Sequence, residues 1–365
     1  MLSGRKTLRE RAVQLLKEMV ETPSVSGSEA AVAGVIRRHM DELGYDTFID
    51  KAGNLIGRIG TGMPHILLCG HMDTVSGELP VTFDGDVLTG RGSVDAKGPL
   101  AALILGGASA VESGFSGSLI VTGAVEEEAR NTGIQELIRH SYEVDFAIFG
   151  EPTNVDTLTL SYKGSVLIEV EIETPSGHSS APWIYPNAIE KTMEMYGRIK
   201  ETATSLTVEK EGFKALTTSI RGISGGKSHG VSPSHCKMWI ELRVPPGINV
   251  DHLLEMVNSQ TEGFNAQGTS VEMTVLDRVE SYTADHKSSL VKAFTRSIYT
   301  HTGSRVLLVR KSGTGDMNYY GSATKVPCIT YGPGDPHLDH TDHEHILIAD
   351  YLRSIEIIKQ ALLNL

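Results

Sequence analysis

Cysteine is scarce in this sequence. There are three in 365 residues, Cys69, Cys236 and Cys328, and no two are close enough to make a Cys-x-x-Cys pair. That excludes a disulfide framework and a thiolate zinc site. Also missing is any apolar run approaching the roughly 18–20 residues that a membrane-spanning helix needs. The opening stretch, MLSGRKTLRERAVQLLKEMV, reads as a charged amphipathic helix without the apolar core or cleavage site of a signal peptide. Positive charge is the minority sign: 33 Lys and Arg face 45 Asp and Glu, a net charge of −12. Nucleic acid and anionic membranes are therefore poor main partners. These absences together predict a cytoplasmic protein.

What the chain does have is histidine, 14 of them, and glycine, 38. Six histidines (His286, His301, His337, His340, His343 and His345) fall in the last quarter. Several sit in PGDPHLDHTDHEHI, between an apolar strand pattern and a closing helix pattern. The first 160 residues alternate helix-like stretches (SGSEAAVAGVIRRHMDELG, GPLAALILGGASAVESG) with short apolar runs (PHILLCG, GSLIVTGAV, VDFAIFG). Such alternation predicts an α/β fold, a mostly parallel sheet with helices on both faces. From about residue 166 the order becomes strand, helix, strand, strand, helix, strand, which is the ferredoxin-like α+β arrangement. Helix and strand patterns of the first kind then resume. The expected organisation is a discontinuous domain over 1–165 and 276–365, interrupted by a smaller one over 166–275.

Metal-capable side chains gather where the apolar runs stop. PHILLCG runs into His71-Met72-Asp73, and VTGAV into Glu126, Glu127 and Glu128. VDFAIFG ends at Glu151, VPCITYGPGDPHLD ends at His340, and Asp95 stands just before the Gly98-Pro99 helix start. One acidic residue after a strand is usually a turn or cap. Five such loops are harder to explain that way, because the carboxyl ends of strands line the ligand crevice of an open α/β sheet. Two histidines with three or more carboxylates suit zinc or cobalt. One shared carboxylate with ligands on either side makes a two-metal centre, and hydrolysis there needs one further carboxylate to move a proton.

The set GHMDTV, GRGSVDAKGPLAA, EEEARNTG, GEPTN, GHSS and HTDHE resembles the zinc-dependent aminoacylase and acetylornithine-deacetylase family, which includes succinyl-diaminopimelate desuccinylase and glutamate carboxypeptidase. The likeness runs through essentially the whole chain. It implies that His71 and Glu151 hold one divalent ion, Glu128 and His340 a second, and that Asp95 bridges them. Asp73 would orient His71, and Glu127 would be the general acid and base. Glu126 is left out of both the proton-transfer and the metal-ligand role. The inserted domain would be a lid that also makes a homodimer, with His178 stabilising the oxyanion and Arg243 gripping a substrate carboxylate. This chain departs from the family at His229-Gly230-Val231-Ser232-Pro233, where relatives often carry Asn-Val-Ile-Pro, and His229 is the candidate to replace that Asn.

SYKGS, KSGTGDMN and YGPGD bring the chain closest to the lysine and ornithine biosynthetic deacylases. That branch implies release of lysine or ornithine from an N-acyl form or from the terminal glutamate of an acidic amino-group carrier protein. Asp316 or Glu126 would receive the substrate amine. Lys163, Arg310 and Lys311 are candidates for a basic patch facing such a carrier. A dipeptidase, a carboxypeptidase or a desuccinylase with the same two-metal site remains the alternative.

Overall fold

Four strands of nearly unbroken apolar sequence form the centre of the larger sheet, and such strands are stable only when both faces are covered. The computed structural model describes residues 7–226, 229–264 and 268–365. Within it Ser118–Ala124, His65–His71, Phe146–Gly150 and Cys328–Thr330 lie side by side, all parallel. Leu55–Gly60 joins antiparallel on one side, followed by Asp46–Ile49, and Thr157–Tyr162 joins antiparallel on the other. The helix Lys97–Glu112 is apolar all round (KGPLAALILGGASAVE) and accordingly buried nearly throughout. It packs on the sheet, and Leu8–Val20 and Ile348–Leu363 pack against it. The expected α/β class is borne out.

Close packing of that helix depends on a row of glycines. Gly123, Gly70 and Gly150 stand level on three adjacent strands. A Cβ on Gly70 would lie 3.1 Å from Leu100 Cβ, and one on Gly150 only 2.7 Å from Leu103 Cδ1. At Gly123 the obstacle is Met72, at 2.7 Å. Only glycine admits this depth of approach.

The described residues divide into two compact units. One comprises the chain to Leu160, Ala284–Arg310 and Gly315–Leu365; the other Ser161–Thr283 and Lys311–Thr314. In the second unit the strands Thr217–Gly225, His235–Val244, Gly164–Glu173 and Ser270–Val279 lie in that order, all antiparallel. This is the ferredoxin-like order read from the sequence. His235–Val244 and Gly164–Glu173 alternate buried with partly exposed residues. The buried side chains make a core with the helices Ala188–Ser205 and Val250–Ser259. Among the described residues no helix is long and apolar enough to cross a membrane.

Candidate metal centre

The parallel strands end at one edge, and the loops that leave it bring the acidic and imidazole groups together. His71 is the last residue of its strand and is level with Ala124, while Gly70 is level with Gly150. The strand ends therefore set the glutamate loop and Glu151 on either side of His71. His71 is 1% exposed. Its Nδ1 lies 3.0 Å from the Asp73 carbonyl oxygen and donates to it, which leaves Nε2 as the nitrogen that would bind an ion once the ring is neutral. Burial opposes protonation, but Asp73, Asp95, Glu151 and Glu127 together raise the ring well above its ordinary value. Nε2 lies 3.2 Å from Asp95 Oδ1 and 3.8 Å from Glu151 Oε1.

The other oxygen of Asp95 faces a second imidazole. Oδ2 is 2.9 Å from His340 Nε2, which is also 2.8 Å from Glu128 Oε1. The atoms form three overlapping groups, each within 4.8 Å: His71, Asp95 and Glu151; Asp95, Glu128 and His340; His71, Glu127 and Glu128. Asp95 and Glu128 pair with imidazoles, not with Lys or Arg. Mixed nitrogen and oxygen donors around one shared carboxylate fit a pair of divalent cations.

The charge states follow from this crowding. Burial raises Glu127, with Glu151, Asp316 and Glu128 adding to the effect and His71 opposing it, so its carboxyl sits well above the usual range. Burial, with Asp95 adding to it, raises Glu128 too, against His71 and His340. Asp95 is the exception: burial would raise it, but hydrogen bonds from His340 and His71 win and hold it low. His340 moves to about 9, chiefly through its hydrogen bond to Asp95 and with Glu128 adding to it, against partial burial. A ligating imidazole must be neutral. Loading chelator-stripped protein at pH 8 should therefore release protons, and apparent metal affinity should climb as pH rises toward about 9. Zinc titration in weakly buffered indicator dye reads both, and proton uptake on loading would contradict the assignment.

The three adjacent glutamates separate here. Glu126 takes the left-handed conformation (φ 56°), which turns the chain sharply at a cost of about 1–3 kcal/mol. Its own Oε2 accepts from Thr132 Oγ1 at 2.7 Å, and its carbonyl oxygen from the N–H groups of Arg130 and Asn131. Beyond the turn, the Glu127 and Glu128 N–H groups both donate to the Asp73 carboxylate, at 3.1 and 3.0 Å. Ser26 Oγ donates to the same carboxylate at 2.7 Å. Asp73 thus carries the glutamate loop as well as standing beside His71, its Oδ1 3.4 Å from Nδ1. The H-x-D spacing pointed to His71 alone, and the loop contacts were not legible in it.

Sequence reasoning also missed Glu344. It is fully buried, and its Oε1 accepts from Val94 N–H at 2.9 Å and from Asp95 N–H at 3.1 Å. Its Oε2 pairs with Arg91 Nη1 at 2.9 Å. The one signal was an acid among the histidines of HTDHEHI. Glu344→Ala leaves Arg91 its bonds to the Gly77 and Thr341 carbonyl oxygens but no counter-charge, and leaves two peptide N–H groups without acceptors, which should cost about 3–5 kcal/mol. Thermal unfolding and metal content should both fall; Glu344→Gln should lose less. A Glu344→Ala protein with wild-type melting and metal content would refute this role.

The remaining candidates lie as follows. Asp316 begins the helix Asp316–Thr324 and is 4% exposed. Its Oδ1 has no partner, its Oδ2 lies 4.0 Å from Cys69 Sγ, and burial lifts its carboxyl to about 7. In the second unit, His178 is exposed, and its Nδ1 accepts from Ser180 N–H and faces Ser180 Oγ at 2.9 Å. The His178 loop pairs with the loop after His229, through Ser179 N–H to the Gly230 carbonyl oxygen. Arg243 Nη2 pairs with Glu241 at 2.8 Å, while Nη1 is buried without a partner.

The profile of Peptidase family M20/M25/M40 matches residues 67–364. A protein of Deinococcus radiodurans described as a LysW-lysine hydrolase is 31% identical, covering 98% of this chain and 97% of its own. A provisionally named LysW-lysine/LysW-ornithine hydrolase of Pyrococcus abyssi is 35% identical, over 98% and 95%. Among solved structures, aminopeptidase PepT of Bacillus cereus superposes with a TM-score of 0.82 over 98% of each chain at 19% identity. The YXEP protein of Bacillus subtilis, described as a dinuclear metal binding peptidase, gives 0.74 over 97% and 98% at 15% identity. At those identities the two structures speak for the fold alone.

Proposed function

The chain is a member of Peptidase family M20/M25/M40, and on that basis we propose that it releases lysine or ornithine from an amide linkage to an acyl group or a carrier protein. The observation that carries this reading is the Asp95 carboxylate, with one oxygen toward His71 and the other toward His340. His71 and Glu151 would hold one divalent ion, His340 and Glu128 the other, with Asp95 between. Zinc or cobalt bound there would polarise the amide carbonyl and acidify the attacking water.

The chain's own groups would do the rest. Glu127 has its backbone held by Asp73 and its carboxylate beside His71 and Glu128. It would take a proton from the attacking water and hand it to the departing amine. With His178 Nδ1 occupied as an acceptor by Ser180, the neutral ring carries its proton on Nε2, the donor an oxyanion needs. The unpartnered Nη1 of Arg243 is suited to a substrate carboxylate, with His229 on the loop beside His178 as a further contact. The unpartnered Oδ1 of Asp316 is the candidate for a substrate ammonium. The names of the relatives support a LysW-type carrier as the acyl side. Dimerisation would use the edge strand Thr217–Gly225, where Ile220 and Ile223 are exposed.

Two measurements test the reading. Chelation should abolish activity, and zinc or cobalt should restore it; full activity after chelation would remove the two-metal mechanism. A panel of carrier-linked lysine, acetyl-lysine, acetyl-ornithine, succinyl-diaminopimelate and dipeptides should give the highest kcat/KM with carrier-linked lysine or ornithine. A dipeptide at the top of that ranking would instead make the enzyme a peptidase.

A further inference from the structure

From His286 to Gly315 the sequence contains no Asp or Glu, yet it carries Lys287, Lys292, Arg296, Arg305, Arg310 and Lys311. In a chain of net charge −12 this is the acid-free stretch richest in cations; residues 212–240 also lack Asp and Glu but carry only four Lys and Arg. The fold gathers part of it into a surface. The helix Ser289–Thr302 buries Leu290, Val291, Phe294 and Ile298, and turns Lys292, Arg296 and Tyr299 outward at i, i+4 and i+7 spacing. The strand Leu307–Lys311 beside it exposes Leu307 and Leu308, which are 57% and 48% accessible; Tyr299 is 61%. With Arg305 they line an open groove of about 990 Å³. Lys292, Arg296 and Arg305 make no side-chain ion pair or hydrogen bond among the described residues.

The groove opens at the metal-bearing edge of the sheet. Leu307 N–H donates to the Asp156 carbonyl oxygen at 3.0 Å, and Asp156 is five residues beyond Glu151. Thr157–Tyr162 runs antiparallel to Cys328–Thr330, so its first residues stand at the end from which the His340 loop departs. The start of Leu307–Lys311 is level with them.

We propose that this groove docks the acidic carrier protein whose terminal residue bears the substrate, its cations meeting carrier carboxylates and Tyr299, Leu307 and Leu308 meeting an apolar spot. The proposal rests on the carrier reading given above. It also answers a physical difficulty: two acidic proteins repel at long range, and a local basic face reverses that where the partner must arrive. A small N-acyl amino acid has no use for a surface of this size. Aromatic and aliphatic side chains ringed by cations and lacking intramolecular partners are what an acidic protein surface complements.

The test compares two substrates and two proteins. Lys292→Glu/Arg296→Glu/Arg305→Glu should raise KM for lysine-loaded LysW carrier about ten-fold or more at low ionic strength, leaving its kcat, and all constants for acetyl-lysine, unchanged. The wild-type KM for the carrier substrate should also rise with salt. Tyr299→Ala should raise the same KM without altering its salt dependence. Equal effects on both substrates, or none on either, would overturn the docking surface. A shift from dimer to monomer on charge reversal would overturn it too, by making the groove a face between copies. If wild-type enzyme hydrolyses acetyl-lysine and never the carrier form, the substrate reading fails. Fluorescence anisotropy of unloaded carrier with Glu127→Gln protein then judges the surface separately: binding that charge reversal leaves intact, or no binding at all, rejects it.

Discussion

Glu127→Gln should still bind two metal ions per chain and hydrolyse its substrate roughly 10²–10⁴-fold more slowly, the range expected when a general base is removed. The amide keeps the volume of the side chain and, because Asp73 grips the backbone N–H rather than the carboxylate, it keeps the loop. What it loses is the ability to accept a proton from water and return it to the leaving amine. KM should change little, since Glu127 holds no part of the substrate in the proposed mechanism. Glu128→Gln is the control. It stands one residue along, held by the same Asp73, but its Oε1 faces His340 at 2.8 Å. It should lose metal, and activity with it. Metal analysis beside single-turnover rates separates the two; equal metal loss in both variants would merge roles assigned here to different residues.

Asp95→Ala should have the larger effect on metal content. Asp95 pairs with one imidazole through each of its two oxygens, so its removal should empty both positions and leave His71 and His340 with fewer acidic neighbours. Activity should fall to background and not return with excess zinc. The fold should survive, because Asp95 is held through its backbone N–H by Glu344 and that contact persists in the alanine variant. Circular dichroism with metal analysis checks both halves of the expectation. Retention of two ions would remove Asp95 from the bridge.

How much of this could be read from the sequence depended on distance along the chain. The loops of the candidate site were legible because each local pattern is short: an apolar strand, then His71, Glu128 or Glu151. The alternation of strands and helices likewise gave the α/β class and the ferredoxin-like order. The supports were not legible. Asp73 reaches Glu127 and Glu128 across 54 and 55 residues, and Glu344 reaches Val94 and Asp95 across 250 and 249. A carboxylate accepting from a peptide N–H leaves no mark on the partner's side chain, so no spacing rule finds it. Nor did the glycine-rich neighbours of Asp316 reveal that it begins a helix and is buried with one carboxylate oxygen unpartnered.

The level row Gly123, Gly70 and Gly150 bears on how the chain can change over time. None of the three offers a ligand, yet a methyl group at any of them meets a neighbour at 2.7–3.1 Å. At Gly70 and Gly150 that neighbour belongs to the helix that begins two residues after Asp95. Displacing that helix would move Asp95 relative to the strand ends that present His71 and Glu151. A map of tolerated substitutions should therefore show its intolerant positions as a band running across the sheet beneath the ligands, and not only as a ring around them. Drift in substrate preference has to come from the loops, because the floor of the site has no room to vary.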